Sequence, residues 1–277
     1  MKTITKYIVL IVIAVTAFSC EEVVNVDLDT ENPKLVIDAS IKWKKGTDGK
    51  TQKIVLTTTT DYYSNTIPVA TGAQITVKNI SLSSPITYSF VEDGQTGMYI
   101  CTNFEPKIGN EYELIIKYKN QNYSSKSTFT ATPTIENIEQ ITKPGFGDEK
   151  FIEIKFYFQD NGNEDNYYLA GVKNSTLVIP EYGVIDDRFT QGNRMSISYQ
   201  NDLKKDDVVD YSLQGITKSY ANYMSKLILI SGTQSGGPFA TAPATLRGNV
   251  VNTTNSENFP FGYFQLSEID SGSYTVK

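Results

Sequence analysis

The sequence predicts an all-β protein, with an N-terminal immunoglobulin-like β-sandwich followed by a second β-rich domain that holds one short helix. Short segments of alternating or β-branched residues recur along most of the chain, which has 277 residues. Turn residues, such as Asp-Gly at 48–49 and 93–94, separate these segments. Only one segment spaces its apolar residues as a helix does. Short strands at this spacing are typical of antiparallel sandwiches.

The first domain is predicted to span residues 33–132, because Pro33 precedes the first strong strand pattern. In that strand Leu35, Ile37, Ala39 and Ile41 share one face. The last two strands of the domain are expected to pair across a turn at Asn120-Gln121. The predicted strands are 34–43, 53–63, 73–80, 86–93, 97–102, 112–119 and 122–129.

The second domain is predicted to span residues 133–277, since Pro133 interrupts strand pairing within the segment 130–138. Its helix is predicted at 217–231 and to end at Gly232. The apolar stripe of this helix favours core packing over a binding groove. A long Thr/Asn/Pro-rich loop begins at Ser235. The predicted strands are 151–160, 166–173, 175–180, 194–200, 207–216 and 261–266.

The first nineteen residues have the pattern of a secretory signal peptide. Lys2 and Lys6 are their only charged side chains, and residues 7–18 form a run that is apolar apart from Thr16 and the Tyr7 hydroxyl. A membrane-spanning helix needs about 20 apolar residues, so this shorter run fits the core of a signal peptide better. Residues 1–19 are therefore predicted to be removed from the mature protein.

The apolar run ends at Ser19-Cys20, and the segment Ala17–Cys20 resembles a bacterial lipobox of the looser form found in Bacteroidota. In a lipobox the cysteine thiol receives a diacylglyceryl group, and two or three acyl chains then anchor the protein firmly. Cys20 is therefore the predicted lipidation site. The alternative is a secreted protein that happens to keep a cysteine there.

Glu21 and Glu22 follow the predicted lipidation site directly. They resemble the surface-export signal of Bacteroidota lipoproteins, although acidic residues are also common in solvated tethers. Residues 20–32 are accordingly predicted to be an acidic tether. The expected location is the outer membrane, with the protein lipid-anchored and exposed at the cell surface.

Composition excludes several classes of function. The net charge is −6, and loss of the first nineteen residues removes two more positive charges, which argues against nucleic acid as a partner. No histidine is present, so histidine-based hydrolase and zinc sites cannot be assembled. Cys101 has no partner once Cys20 carries lipid, and its alternating surroundings predict a small buried residue in a strand. No nucleotide-binding or nucleophile motif occurs, so we expect no enzyme, no cofactor and no metal.

Two local patterns have a structural and a functional interpretation. The segment 160–165, DNGNED, looks like a calcium loop but fails the spacing of an EF-hand, which favours a solvated hairpin turn. The chain also has 18 tyrosines and 13 phenylalanines, with tyrosine pairs at 62–63 and 167–168. Such residues bind glycans and peptides on some surfaces, but ordinary packing within sheets is favoured.

Several segments together resemble a Bacteroidota family named domain of unknown function 4249. They are the lipobox cysteine, the acidic tether, NPKLVIDASI, FYFQDNGNEDNYYLAGV, DDRF at 186–189, YSLQGITKSYANYMSKL and a late GPF…P…GYF pattern. The resemblance implies an accessory role beside a TonB-dependent outer-membrane receptor, and it supplies no catalytic residues. We therefore expect a non-catalytic binding subunit with an unknown ligand. Two alternatives stay open: a structural or adhesive module that binds protein or glycan without transport, and a carboxylate-only glycosidase.

Overall fold

The computed structural model describes residues 32–61, 64–145, 150–231 and 246–277. The signal peptide and nearly all of the tether lie outside these ranges, as do Tyr62, Tyr63 and the loop after the helix. The described residues are mainly β-structure with one helix, α1 (Lys218–Ser231), which confirms the predicted class and helix. The strands are β1 (Leu35–Lys44), β2 (Gln52–Thr58), β3 (Gln74–Asn79), β4 (Ile86–Glu92), β5 (Met98–Cys101), β6 (Glu111–Tyr118), β7 (Gln121–Thr130), β8 (Ile135–Pro144), β9 (Lys150–Gln159), β10 (Tyr167–Asn174), β11 (Glu181–Asp186), β12 (Arg194–Gln200), β13 (Val208–Ile216), β14 (Val251–Asn252) and β15 (Phe261–Thr275).

Two sheets form from these strands. The larger has the order β11-β10-β13-β15-β1-β2-β5-β4-β3-β6-β7-β14, and the smaller has the order β12-β9-β8. In the larger sheet β7 also pairs with β15, through Leu266 opposite Phe129. This second pairing closes eight strands, from β15 through β1 to β7, into a barrel-like arrangement.

The closed part surrounds the first hydrophobic core. Every second residue of β1 from Leu35 to Ile41 is buried, as the alternation of Leu35, Ile37, Ala39 and Ile41 predicts. Strands β2, β3, β5 and β6 add further apolar side chains from their inward faces. Burial of these alternating faces is what stabilises this half of the molecule.

Strand β15 pairs with strands from both halves of the chain. Its first nine residues pair in parallel with β1, from Val36 opposite Phe261 to Lys44 opposite Ile269. Its second half pairs antiparallel with β13. Phe264 and Leu266 of β15 are fully buried in the first core. The domain boundary at 132/133 stays a prediction. The hydrophobic core of the region before it includes side chains from the end of the chain.

The second core lies between the smaller sheet and one end of the larger sheet. Strand β9 contributes Ile154, Phe156 and Phe158, and these pack with residues of β10 and β13. Phe158 contacts Tyr168 edge-to-face, with ring centroids 5.1 Å apart. The contact joins the two sheets, and edge-to-face pairs add to the energy of burial itself.

Most predicted strands are confirmed, and three local predictions are wrong. Residues 175–180 form a turn with exposed Val178 and Ile179, and the strand follows as β11. The DNGNED segment is no hairpin, because β9 and β10 lie in different sheets. The β6–β7 hairpin is confirmed, but its turn lies one residue earlier, at Lys119-Asn120. Both of those residues have positive φ, as the favoured two-residue hairpin turn requires.

Candidate functional site

A cavity of about 860 Å³ lies where the β7–β8 connection, the β9–β10 loop and the end of β13 meet. Of these segments, the β7–β8 connection and the end of β13 are more than 80 residues apart in the sequence. The cavity is lined by both apolar groups, including Phe129 and Ile216, and polar groups, including Asp160 and Asn166. Its volume and its mixed lining suit a small ligand.

One wall is fixed by hydrogen bonds of two threonines. The Thr130 hydroxyl donates to the Gly215 carbonyl at 2.5 Å, and the Gly215 N–H donates to the Thr132 hydroxyl at 2.6 Å. The Thr132 hydroxyl in turn donates to the Glu268 carbonyl at 2.5 Å. These bonds join the β7–β8 connection to β13 and β15. The wall is therefore held rigidly at the junction of the two cores.

The opposite wall is the β9–β10 loop, which is anchored to the β11–β12 loop. Asp160 is only 4% exposed, and its carboxylate accepts from the Tyr168 hydroxyl at 2.5 Å and from the Gly192 N–H at 2.8 Å. Gln159 donates to the Gly192 carbonyl at 2.9 Å. At the far end of the loop, the Asn166 N–H donates to the Asp187 carboxylate at 2.8 Å.

The charge around the cavity is predominantly acidic. Asp160, Glu164 and Asp165 line it, against the single lysine Lys218 among the described lining residues. The Glu164 carboxylate accepts from the Asn161 side-chain amide at 3.1 Å, which orders the exposed part of the loop. Carboxylates and amides at such a rim can accept hydrogen bonds from hydroxyl, amide or ammonium groups of a ligand.

The arrangement is better suited to binding than to proton transfer. Both oxygens of Asp160 already accept hydrogen bonds, and burial together with the bond to Asp160 raises the pKa of the Tyr168 hydroxyl. The tyrosine therefore stays protonated and donates to the carboxylate near neutral pH. Within the described ranges, no three His, Cys, Asp or Glu side chains form a group that could hold a metal ion.

The predicted site residues Cys20, Glu21 and Glu22 lie outside the described residues, so lipidation and export stay predictions. Cys101 is confirmed as a buried strand residue, 1% exposed at the end of β5. Its thiol lies 3.2 Å from the Asn103 side-chain oxygen, and burial raises its pKa. A buried thiol with a raised pKa is chemically inert under ordinary conditions.

Most of the apolar stripe of α1 is confirmed as core packing, whereas Leu227 of the same stripe is 36% exposed. Tyr220, Ala221 and Met224 are buried, and the rings of Tyr220 and Tyr263 lie 4.8 Å apart between centroids. The third ring, that of Tyr223, is also 4.8 Å from Tyr263. These rings pack between the helix and the sheet. Nowhere in the part of the chain that the structure describes is a helix both long and apolar enough to span a membrane.

Sequence reasoning did not find the cavity. Thr130, Thr132 and Gly215 carry no local motif, and they meet only because β7, β13 and β15 adjoin. In the sequence, Asp187 stands out only as part of the DDRF segment at 186–189. The one available hint was the density of Asp and Asn at 160–166 and 186–187, which marks polar loops but not their mutual contact.

Comparison with other proteins gives a family and little else. No curated protein matches the sequence. Two solved structures from chicken cover 67% of this chain: a segment of two fibronectin type III domains from tenascin and the interferon gamma receptor alpha chain. Identities are 11% and 13%, the alignments cover 91% and 89% of those chains, and TM-scores are 0.22 and 0.18. Scores this low carry no argument about fold or function.

The family result is of a different kind, because it covers nearly the whole sequence. The profile described as "Domain of unknown function (DUF4249)" matches residues 21–273, which include the first hydrophobic core, nearly all of the second, the cavity and the acidic residues after Cys20. The match begins directly after the predicted lipidation site and ends within β15. The chain therefore belongs to the DUF4249 family.

Proposed function

We propose that this protein is a lipid-anchored lipoprotein of the outer-membrane surface that binds a ligand without chemically changing it. The observation that carries binding is the acidic cavity of about 860 Å³ beside the junction of the two cores. Its size lies within the range of about 300–1,000 Å³ usual for small-molecule sites. Its polar rim and apolar wall suit a compact ligand with hydroxyl, amide or ammonium groups.

The proposed partner is a TonB-dependent receptor, for which this protein would act as an accessory uptake subunit. The support is the family membership, together with the accessory role that the resemblance implies for such lipoproteins. A stable interface of ordinary size buries about 1,600 Å², and a few aromatic anchors carry most of its energy. Phe189 of the β11–β12 loop is 94% exposed and is a suitable anchor of this kind.

The proposal includes an immunoglobulin-like sandwich for the N-terminal region. In its support, β3, β4, β6 and β7 pair antiparallel as neighbours in one layer. Strand β4 pairs with β3 along most of its length and with β5 at its end, and β7 pairs with β6 and then, near its end, with β15. These two strands therefore join one layer to the other. Such strand crossings are common in sandwiches whose edges are closed.

The anchoring proposal is tested by changing Cys20→Ala. The variant should leave the membrane fraction and lose labelling by a fatty-acid analogue, because the thiol is the only proposed acceptor of lipid. A second variant with Glu21→Ala and Glu22→Ala should keep its lipid but become protected from protease added to intact cells. Unchanged labelling of Cys20→Ala would rule out Cys20 as the lipid anchor. Equal digestion of the glutamate variant and the unchanged protein would show that Glu21 and Glu22 are only part of a tether.

The receptor proposal is tested by mild detergent extraction of native membranes. The protein should copurify with an outer-membrane receptor, and deletion of either gene should impair growth on the same scarce nutrient. A matched strain with Phe189→Ser should retain the lipoprotein at the surface and recover less receptor. A protein that migrates alone, and whose loss leaves uptake unchanged, would favour the structural or adhesive alternative.

A further inference from the structure

A second pocket, the mouth pocket, lies at one end of the closed eight-stranded part, where β1 begins, β2 ends and the β6–β7 hairpin turns. Its volume is about 490 Å³, at the lower end of the range of about 300–1,000 Å³ usual for small-molecule sites. It lies at the start of β7, whereas the acidic cavity lies at the end of that strand, so the two sites are separate. Ligand sites often form in the mouths of β-barrels.

Two buried tyrosines of the mouth pocket have hydroxyl groups without a protein partner. Tyr118 ends β6 and Tyr123 lies diagonally across the hairpin in β7, and their exposed fractions are 9% and 3%. Among the described residues neither hydroxyl forms a hydrogen bond, and neither oxygen is fully enclosed. Burial, with the nearby Tyr118 hydroxyl as a smaller cause, raises the pKa of Tyr123, so its hydroxyl can donate at neutral pH. Buried tyrosine hydroxyls usually have a partner, so these two are suited to bond with a ligand.

The rim of the mouth pocket adds a hydroxyl and a carboxylate. Thr58 ends β2 opposite the inward-facing Leu35 of β1, and Asp61 lies in the loop that follows. The backbone N–H of Thr58 donates to the Pro68 carbonyl at 2.9 Å, which holds this loop against the strand. The Thr58 hydroxyl and the Asp61 carboxylate bond to no other group in the described part of the chain, so both can bond to a ligand.

Asn252 fixes the opposite part of the rim. Its side-chain amide donates to the Gln121 side-chain oxygen at 3.0 Å and to the Asn258 carbonyl at 2.8 Å. Its side-chain oxygen accepts from the N–H groups of Thr254 and Asn255, both at 3.0 Å. Gln121 and Asn258 line the pocket, and in the described ranges the Gln121 amino group and the Asn258 side chain have no partner. A rim held in this way loses little further freedom when a ligand binds.

We propose that the mouth pocket binds a neutral saccharide unit, with the hydroxyls of Tyr118 and Tyr123 and the carboxylate of Asp61 as hydrogen-bonding groups. Hydroxyl groups both donate and accept, and a sugar presents several of them beside apolar C–H faces. The pocket offers hydroxyls, a carboxylate and amides next to Leu35 and the tyrosine rings. Asp61 and Lys119 are the only charged side chains among its described lining residues, and their opposite charges favour an uncharged ligand.

The surrounding strands favour a sugar over an extended peptide. Peptides bind by adding a strand to a free sheet edge or by lying in a groove. Strands β1, β2, β6 and β7 already pair on both sides, and the pocket is a small concave mouth between them. The inference does not depend on the acidic cavity or on a receptor. The same saccharide chemistry occurs in free sugars and in glycolipid headgroups, which the test separates.

The test is binding of the mature chain, in a detergent without a sugar headgroup, to an array of neutral mono- and disaccharides. At least one saccharide should bind, and calorimetry then measures its affinity for the variants. Asp61→Asn should weaken binding about tenfold, because a charged acceptor is lost. Tyr118→Phe should weaken it about fivefold, because the ring stays and only the hydroxyl is removed. Unchanged circular dichroism spectra establish that both variants fold.

Asp48→Asn is the matched control, because Asp48 is an exposed carboxylate in the β1–β2 loop, at the other end of these strands. It should bind the saccharide as the unchanged protein does. Equal affinities for the methyl and octyl glycosides of the bound sugar would identify a free sugar as the ligand, and tighter binding of the octyl form would identify a glycolipid headgroup. If no neutral saccharide binds, or if Asp61→Asn and Tyr118→Phe both keep full affinity, the proposal is overturned.

Discussion

Gly215 shows at the residue scale how closely two segments approach beside the cavity. A Cβ at this position would lie 1.8 Å from the Ala131 carbonyl oxygen, which is far inside van der Waals contact. The same glycine exchanges hydrogen bonds with Thr130 and Thr132 through its backbone. The absence of a side chain is therefore what lets the β7–β8 connection lie against β13.

We predict that Gly215→Ala destabilises the protein by about 2–4 kcal/mol, because the backbone must move and the threonine bonds lengthen. Urea unfolding measures the change. Gly183→Ala is the matched control, since Gly183 is also a strand glycine and a Cβ there meets nothing within 4 Å. The control should change stability by no more than about 0.5 kcal/mol. Equal effects of the two substitutions would contradict the close approach.

Tyr220 links burial to alkaline stability. Burial raises the pKa of its hydroxyl to about 12, from an ordinary value of 10.0. The folded chain thus keeps this proton between about pH 10 and pH 12, whereas the unfolded chain releases it. The free energy of unfolding must fall as pH rises through that window, by an amount on the order of 2–3 kcal/mol for this group.

We predict that Tyr220→Phe makes this alkaline loss of stability shallower, since the substituted ring has no proton to release. The measurement is urea unfolding at pH 8 and at pH 11.5 for both proteins. The comparison at pH 8 isolates the cost of the missing hydroxyl, because at that pH the Tyr220 hydroxyl is protonated in both the folded and the unfolded chain. Parallel losses from pH 8 to pH 11.5 would show that Tyr220 does not contribute.

At the scale of elements, helix α1 is held against the sheet by the side chains of one face. Met224 is 8% exposed and packs with Leu169, Ile216 and Tyr263 of the sheet, whereas Leu229 of the same helix is 63% exposed. The helix has no acidic residue in its first turn and no basic residue in its last. Its stability in place therefore rests on packing more than on its own charges.

We predict that Met224→Ala lowers the free energy of unfolding by about 2–4 kcal/mol, because it removes buried methylene groups and leaves a cavity. Leu229→Ala should change it by no more than about 0.5 kcal/mol. Urea midpoints with unchanged slopes would measure both effects. A large loss for Leu229→Ala would mean that the exposed face of the helix is covered by another surface.

At the scale of the whole molecule, the last strand contacts three hydrophobic clusters, since Tyr263 packs in the cluster that includes helix α1 and Tyr274 packs against the second core. It gives the first core Phe264 and Leu266, and it gives β1 a parallel partner over nine residues. Parallel pairing between β1 and β15 joins residues more than 200 positions apart. We therefore expect cooperative folding of the N-terminal region to require the end of the chain.

We predict that a fragment of residues 33–132 does not fold cooperatively by itself. The same fragment joined through a flexible linker to residues 246–277 should regain a β-type circular dichroism spectrum and a cooperative thermal transition. The added segment restores Phe264, Leu266 and the β1 partner strand. Cooperative folding of the shorter fragment would instead establish 132/133 as a true domain boundary.

The sequence by itself determined the fold class, most strands, the single helix and the buried state of Cys101. Each of these follows from a local pattern, since alternation and helical spacing decide which face of an element is apolar. It also determined the family, because matching residues extend along nearly the whole chain. The segments 135–144 and 267–275 were missed as strands, since their patterns are polar and their pairing partners are distant.

Only the tertiary structure decided the connections and the cavity. A period of two residues places side chains on a face but says nothing about which strand lies alongside. The parallel pairing of β15 with β1, the crossing of residues 160–165 between sheets and the meeting of Asp187 with Asn166 all depend on long-range contacts. Such contacts arise from the joint packing of two cores, which no single segment encodes.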